Sequence, residues 1–285
     1  MKPIFYSLIV FIFSFSVSNA AIIFVNDENT LQTTINNAVD GDVIKVNVNI
    51  TKNIEIRNKT NVKLEAYQGS VWLGAGLSDN LLRIYQCSNI TIEGFNFTLQ
   101  RVNEVGIKIT HYGQTTNTTI RNCSIYCRYA TNTYGIIDLG HNTVIDNCNI
   151  IGEAFSVGIL AGDYSGWINH PLYIDSYIYA QLGVQYNYSE ENSLSFEDSD
   201  IYGTSSCAIF AAWLLQRDVL NLKNNAIHKS TSGYTIYNRY GGYIYVTKKP
   251  EVDNDLTGGS GFTETFPYGR NDRNDLSLGF ILDLN

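Results

Sequence analysis

Short apolar runs alternate with polar residues along most of this chain, and the runs recur. "TIEGFNF" starts at Thr91, "TIRNCSI" at Thr119, "VIDNCNI" at Val144, "YIDSYIY" at Tyr173, "SFEDSDI" at Ser195 and "NLKNNAI" at Asn221. Aligned on their first residues, they place an apolar residue second: Ile92, Ile120, Ile145, Ile174, Phe196 and Leu222, at steps of 28, 25, 29, 22 and 26. A second register is interleaved: Gly106, Gly135, Gly158, Gly183, Ala208 and Gly233, at steps of 29, 23, 25, 25 and 25. Two registers sharing one period mark a solenoid built from a repeated unit. Each run is too short for a helix and alternates with a period of two, so each reads as a strand. A unit of this length holds two or three strands and forms one coil of a parallel β-helix, with successive coils stacked about 4.8 Å apart. The predicted fold class is therefore all-β, a single solenoid domain.

One stretch reads as a helix. In "LQTTINNAVDGDVIKV", residues 31 to 46, Leu31, Ile35 and Ala38 share a helical face, and Gly41-Asp42 makes a turn into a strand. The fourth position of the first motif is Gly94, Asn122, Asn147, Ser176, Asp198 and Asn224. Small residues, Asn and Asp tolerate left-handed backbone, so this position predicts a corner, with Asn side chains bonding from coil to coil.

On the "TIRNCSI…GIKI" repeat across roughly residues 80 to 237, and on the helix-Gly-Asp-strand segment at 31 to 46, the chain resembles the right-handed parallel β-helix proteins of the pectate-lyase-like superfamily. The resemblance implies a helix plugging the N-terminal end of the solenoid. It also implies a polysaccharide cleft along the strand that carries the Gly motif. It does not imply one activity, because this fold carries lyases, hydrolases, epimerases and adhesins.

In a stacked solenoid, equivalent positions form columns. The third position of the first motif gives Glu93, Arg121, Asp146, Asp175, Glu197 and Lys223, expected to point outward. Asp146, Asp175 and Glu197 on successive coils would repel one another, which a bound Ca²⁺ would relieve through hard oxygen ligands; a solvated, salt-bridged face is the plainer reading. Along the Gly motif, pairing "GIKITH" with "IIDLGH" places Lys108 beside Asp138 and His111 beside His141. Arg83 lies one coil before them, Asp163, Tyr188 and Trp213 lie on later coils, and Arg239 lies at the far end. Carboxylates, imidazoles, cations and aromatic rings in one row suit a sugar cleft. The catalytic candidates are Asp138, His141, Asp163, Lys108 and His111; the substrate-binding candidates are Arg83, Tyr188, Trp213 and Arg239. Asp138 with Asp163 would suit glycoside hydrolysis, and Lys108, His141 and Arg83 would suit a lyase. The paired-Asp and "RxK" signatures of the family's polygalacturonase-like hydrolases are absent, as is a clear counterpart of the pectate-lyase calcium and arginine arrangement. The function read from the sequence is recognition, with or without cleavage, of an extracellular or cell-wall polysaccharide. The alternative is a non-catalytic surface or adhesion protein.

Composition narrows the partners. With 19 Lys and Arg against 27 Asp and Glu, the net charge is −8, which argues against nucleic acid. Lys2, the apolar run from Ile4 to Val17 and the small residues Ser18-Asn19-Ala20 read as a secretory signal peptide over residues 1–20. The mature protein is then expected to be secreted, periplasmic or at the cell surface, with no integral membrane segment. The β-helix with its N-terminal cap is expected over residues 21–248, and residues 249–285 are expected to form a C-terminal cap. The five cysteines lack zinc spacing, and Cys123 with Cys148, in one column on adjacent coils, could be a disulfide or two stacked thiols.

Overall fold

The computed structural model describes residues 20–74, 80–110, 115–127, 133–152, 156–162, 171–180, 182–186, 193–204, 207–211, 219–223, 225–229, 234–238 and 243–247. The expected signal peptide up to residue 19 and the expected C-terminal cap lie outside them.

The strands form three parallel sheets of ten, eight and seven strands; the ten-strand sheet begins with the first, second and fourth strands of the chain, and otherwise each sheet takes every third strand. One coil shows the plan. Val105–Ile109 lies in the eight-strand sheet, Thr119–Arg121 in the ten-strand sheet and Ser124–Cys127 in the seven-strand sheet. Thr133–Asp138, Val144–Asp146 and Asn149–Gly152 follow and pair in parallel with those three. The chain is thus a right-handed parallel β-helix, as the repeat predicts.

Inward residues stack in continuous columns. In the ten-strand sheet the column runs Leu64, Ile92, Ile120, Ile145, Tyr173, Phe196. In the eight-strand sheet one column runs Ile54, Leu82, Ile107, Ile136, Ile159, Val184. All of these side chains are buried. The helix Glu28–Asn37 closes the first coil with buried Leu31 and Ile35, and Asp27 caps it by accepting from the Asn29 N–H. Gly135 and Gly158 are needed for space, since a Cβ on either would lie 2.6 or 2.5 Å from the carbonyl of the next coil's glycine.

The corner between the ten- and seven-strand sheets is left-handed, with φ of 79° at Gly94, 54° at Asn122, 48° at Asn147, 48° at Asp175 and 49° at Asp198. Asn147 Nδ2 donates to Asn122 Oδ1 at 2.8 Å. A second ladder runs from Asn142 through Asn117 and Asn89 to Asn61 where the eight-strand sheet turns into the ten-strand sheet. Asn147→Ala is expected to destabilise by about 1 kcal/mol more than Asn147→Gly, because both lose the ladder bond but only Ala meets the left-handed penalty. Paired urea titrations check it, and equal losses would show that the backbone angle is not the cost.

One expectation is corrected here. Aligning "YIDSYIY" on Tyr173 makes Ile174 inward and Ser176 the corner. Instead Ile145 pairs with Tyr173 and Asp146 with Ile174, so Tyr173 is buried and Asp175 is the corner. The physical reason is a polar partner inside the solenoid: the Tyr173 hydroxyl donates to Asp138 Oδ2 at 3.0 Å. In this frame the steps become 28 and 23 residues, closer to the common period.

Candidate functional site

The outward column of the eight-strand sheet begins Glu55, Arg83, Lys108, then continues Ile137, Leu160, Gln185. Alternation along Ile54–Arg57 and Asn80–Tyr85 sends Glu55 with Arg57, and Arg83 with Tyr85, to the same face. Arg57 pairs with Tyr85 in register. Both guanidinium carbons lie over the Tyr85 ring, Arg57 Cζ at 5.0 Å and Arg83 Cζ at 5.2 Å from its centroid. Such cation–π contacts hold both heads in place. Arg83 Nη1 also meets Glu55 Oε2 at 3.4 Å, with Arg83 41% and Glu55 37% exposed. The Arg83 Nε–H has no hydrogen-bond partner among the described residues. Three cations, one carboxylate and one aromatic ring therefore share the outer face of the first three strands of this sheet. Beyond Lys108 the column turns neutral, with Ile137 almost covered.

Arg83 and Lys108 lie side by side, as the sequence predicts. Asp138 does not join them. Lys108 pairs with Ile137, and Asp138 pairs with Ile109 and faces the interior, fully buried, in a column that runs Ile56, Ile84, Ile109, Asp138, Ala161, Tyr186. Its Oδ1 accepts from the Thr143 hydroxyl at 2.7 Å and the Gly140 N–H at 3.2 Å, and its Oδ2 accepts from Tyr173. Burial without a cation pushes its pKa up to about 6 from an ordinary 3.8, against the pull of those three donors. The same burial and the Asp138 charge raise Tyr173. Asp138 is a core residue held by its own donors and has no access to the outer face.

His141 bridges to Thr116 in the turn after the eight-strand sheet and is half-buried. His111, Asp163, Tyr188, Trp213 and Arg239 lie outside the described residues.

The expected three-carboxylate column is also corrected. Asp146 and Glu197 occupy the outward column of the ten-strand sheet, but Ile174 stands between them and Asp175 is displaced to the corner. Among the described residues no group of three or more His, Cys, Asp or Glu could hold a metal ion. The residues of this column do not make the calcium site that was the alternative to a solvated, salt-bridged face. On the earlier coils the same face is a charge ladder. Lys63 meets Glu65 at 2.9 Å and Glu93 at 2.7 Å, and Arg121 meets Glu93 at 2.7 Å. Burial opposes ionisation of Glu93, but Lys63 and Arg121 outweigh it and hold the carboxyl below its usual range. Cys123 and Cys148 are buried free thiols on adjacent coils.

Sequence reasoning missed Glu55, Arg57 and Tyr85 on the outer face. Their signal was present in "IEIR" and "LLRIY", but it lies at or before the first recognised repeat, on coils without the Gly motif.

No protein-family model matches the sequence, nor does any curated protein. Solved structures do. The chain is similar to a pectate lyase, Pel9A, with a TM-score of 0.62 at 10% identity over 86% of this chain and 77% of that one. It is similar also to pectate lyase C from Erwinia chrysanthemi, solved at pH 9.5 with 30 mM Ca²⁺, with a TM-score of 0.54 at 10% identity over 89% of this chain and 88% of that one. At this identity the likeness establishes the fold, a pectate-lyase-like right-handed parallel β-helix.

Proposed function

We propose that this pectate-lyase-like β-helix is exported and binds an acidic polysaccharide along the outer face of its eight-strand sheet, with uronate carboxylates on Arg83 and Lys108. The observation that carries the reading is the register of those two cations on adjacent strands, beside Arg57 and Tyr85 and with one carboxylate nearby. In a chain of net charge −8, three cations against one carboxylate make this face locally basic, which suits an anionic polymer. Arginine gives a planar fork for a carboxylate, and the Tyr85 ring offers an apolar face beside it. The two neighbours are named pectate lyases, and pectate is a polyuronate.

Cleavage, if it follows binding, is better supported as β-elimination than as hydrolysis. Hydrolysis needs two carboxyls flanking the scissile bond, and Asp138 lies inside the core. In elimination, hydroxide from solvent takes the proton from the carbon next to the uronate carboxylate, which Arg83 and Lys108 hold, and leaves the C–H electron pair behind. That electron pair forms a carbon–carbon double bond as the glycosidic oxygen departs, collecting a proton from solvent. Arg83 neutralises the carboxylate and so lowers the cost of removing the proton.

The test is incubation of the protein with polygalacturonate, alginate and neutral glycans, following ultraviolet absorbance of an unsaturated product and product mass. Turnover on a polyuronate that drops at least about 100-fold in Lys108→Ala supports the reading. A hydrolytic product that gains the mass of water rules out elimination. Binding without turnover limits the function to recognition.

A further inference from the structure

Asp42 is a buried carboxylate whose charge nothing yet described compensates. It is 3% exposed, and among the described residues no Lys or Arg pairs with it. Its Oδ2 accepts from the Val39 N–H at 2.8 Å, and its Oδ1 accepts from the Ala21 nitrogen at 2.9 Å. Ala21 is also where the chain enters the solenoid. Its carbonyl accepts from Val43 N at 2.8 Å, and the next residue, Ile22, pairs with Val43 at the edge of the ten-strand sheet.

We propose that Asp42 is the receptor for a new amino terminus created by cleavage between Ala20 and Ala21. This rests on the export reading above, which places the end of a signal peptide at residue 20. Hydrolysis of the Ala20–Ala21 bond consumes one water, leaving a carboxylate on Ala20 and an amine on Ala21 that takes up a proton. The nitrogen that was an amide donor to Asp42 becomes an ammonium in the same place. A neutral hydrogen bond to a buried charge is thereby converted to an ion pair.

The pairing is specific to that bond. In a chain that begins one residue earlier, the nitrogen that meets Asp42 Oδ1 is still an amide and the ammonium sits on another atom. Ala21 itself is exposed, so its ammonium keeps part of its hydration, while the buried carboxylate gains a counter-charge. Because Asp42 sits in the turn between the capping helix and the second strand of the sheet, the ion pair ties the processed terminus to the element that closes the solenoid. Removal of the leader then tightens the N-terminal cap.

The test compares two recombinant proteins, one beginning at Ala21 and one at Ala20, each freed from a cleavable tag so that no extra residue remains. The Ala21 protein should melt a few degrees higher at pH 6. The advantage should vanish in Asp42→Asn. If that variant fails to fold, chemical acetylation of the Ala21 amine leaves Asp42 intact and should lower the melting temperature to that of the Ala20 protein. Equal melting temperatures for the two starts overturn the proposal, as does an advantage that survives Asp42→Asn or acetylation. Intact mass of the naturally secreted protein tests the export reading separately. Failure to be secreted sinks the export reading and this proposal with it, whereas a secreted chain beginning elsewhere than Ala21 sinks this proposal alone.

Discussion

Replacing Asp138 by Asn should shift the relative stability of the two proteins by about 3 kcal/mol between pH 4 and pH 8, in favour of the variant at the higher pH. The sign follows from burial. The folded carboxyl titrates near 6 and the unfolded one near 3.8, so the folded state holds the proton more tightly. Stability from this group is complete below pH 4 and is lost as the pH rises through 6. An Asn side chain occupies the same volume, accepts from Thr143 and Gly140, and carries no charge to desolvate. Asp138→Ala behaves differently, because it leaves the Gly140 N–H and the Thr143 and Tyr173 hydroxyls without their acceptor. It is expected to be less stable than Asp138→Asn by about 3 kcal/mol or more at either pH. Denaturant midpoints across the pH range check both statements. A stability difference between the wild type and Asp138→Asn that stays flat with pH would mean that the carboxyl is not buried as described. An activity assay on Asp138→Ala alone would misread this loss of structure as loss of a catalytic acid.

Removing Arg83 and Lys108 together should weaken binding to a polyuronate by about 100-fold, each cation supplying a charge-assisted bond to a carboxylate. Either single variant should lose about tenfold. Wild-type binding should also fall as salt is raised, since the Arg83 head is solvent-accessible and its attraction is screened. Neither substitution touches the core, so the melting temperature should move little.

The fold was legible because columns reinforce one another. A single strand such as "TIRNC" says little, but six copies sharing a period admit one architecture. Small errors in spacing do not disturb that conclusion. The faces were less legible, because a slip of one residue sends every side chain to the opposite side. Both slips meet at one buried contact. Pairing "GIKITH" with "IIDLGH" moved Asp138 next to Lys108, and taking Ile174 over Tyr173 as the inward residue moved Asp175 onto the Asp146 column. In the structure both side chains turn inward and the Tyr173 hydroxyl donates to Asp138. The Gly106–Gly135 alignment already carried the correct answer, since counting from the glycines pairs Lys108 with Ile137 and Ile109 with Asp138. The cationic cluster was half legible. Arg83 and Lys108 followed from the repeat, whereas Arg57 and Tyr85 needed strand pairing across coils that lack its glycines.

Affinity electrophoresis in gels containing polygalacturonate shows whether the eight-strand face binds carboxylates. The wild-type protein should be retarded at low salt, the Arg83→Ala/Lys108→Ala protein should run as in an empty gel, and added salt should release the wild type. Equal retardation of the two proteins, or retardation only in gels of neutral glycan, would contradict binding at that face.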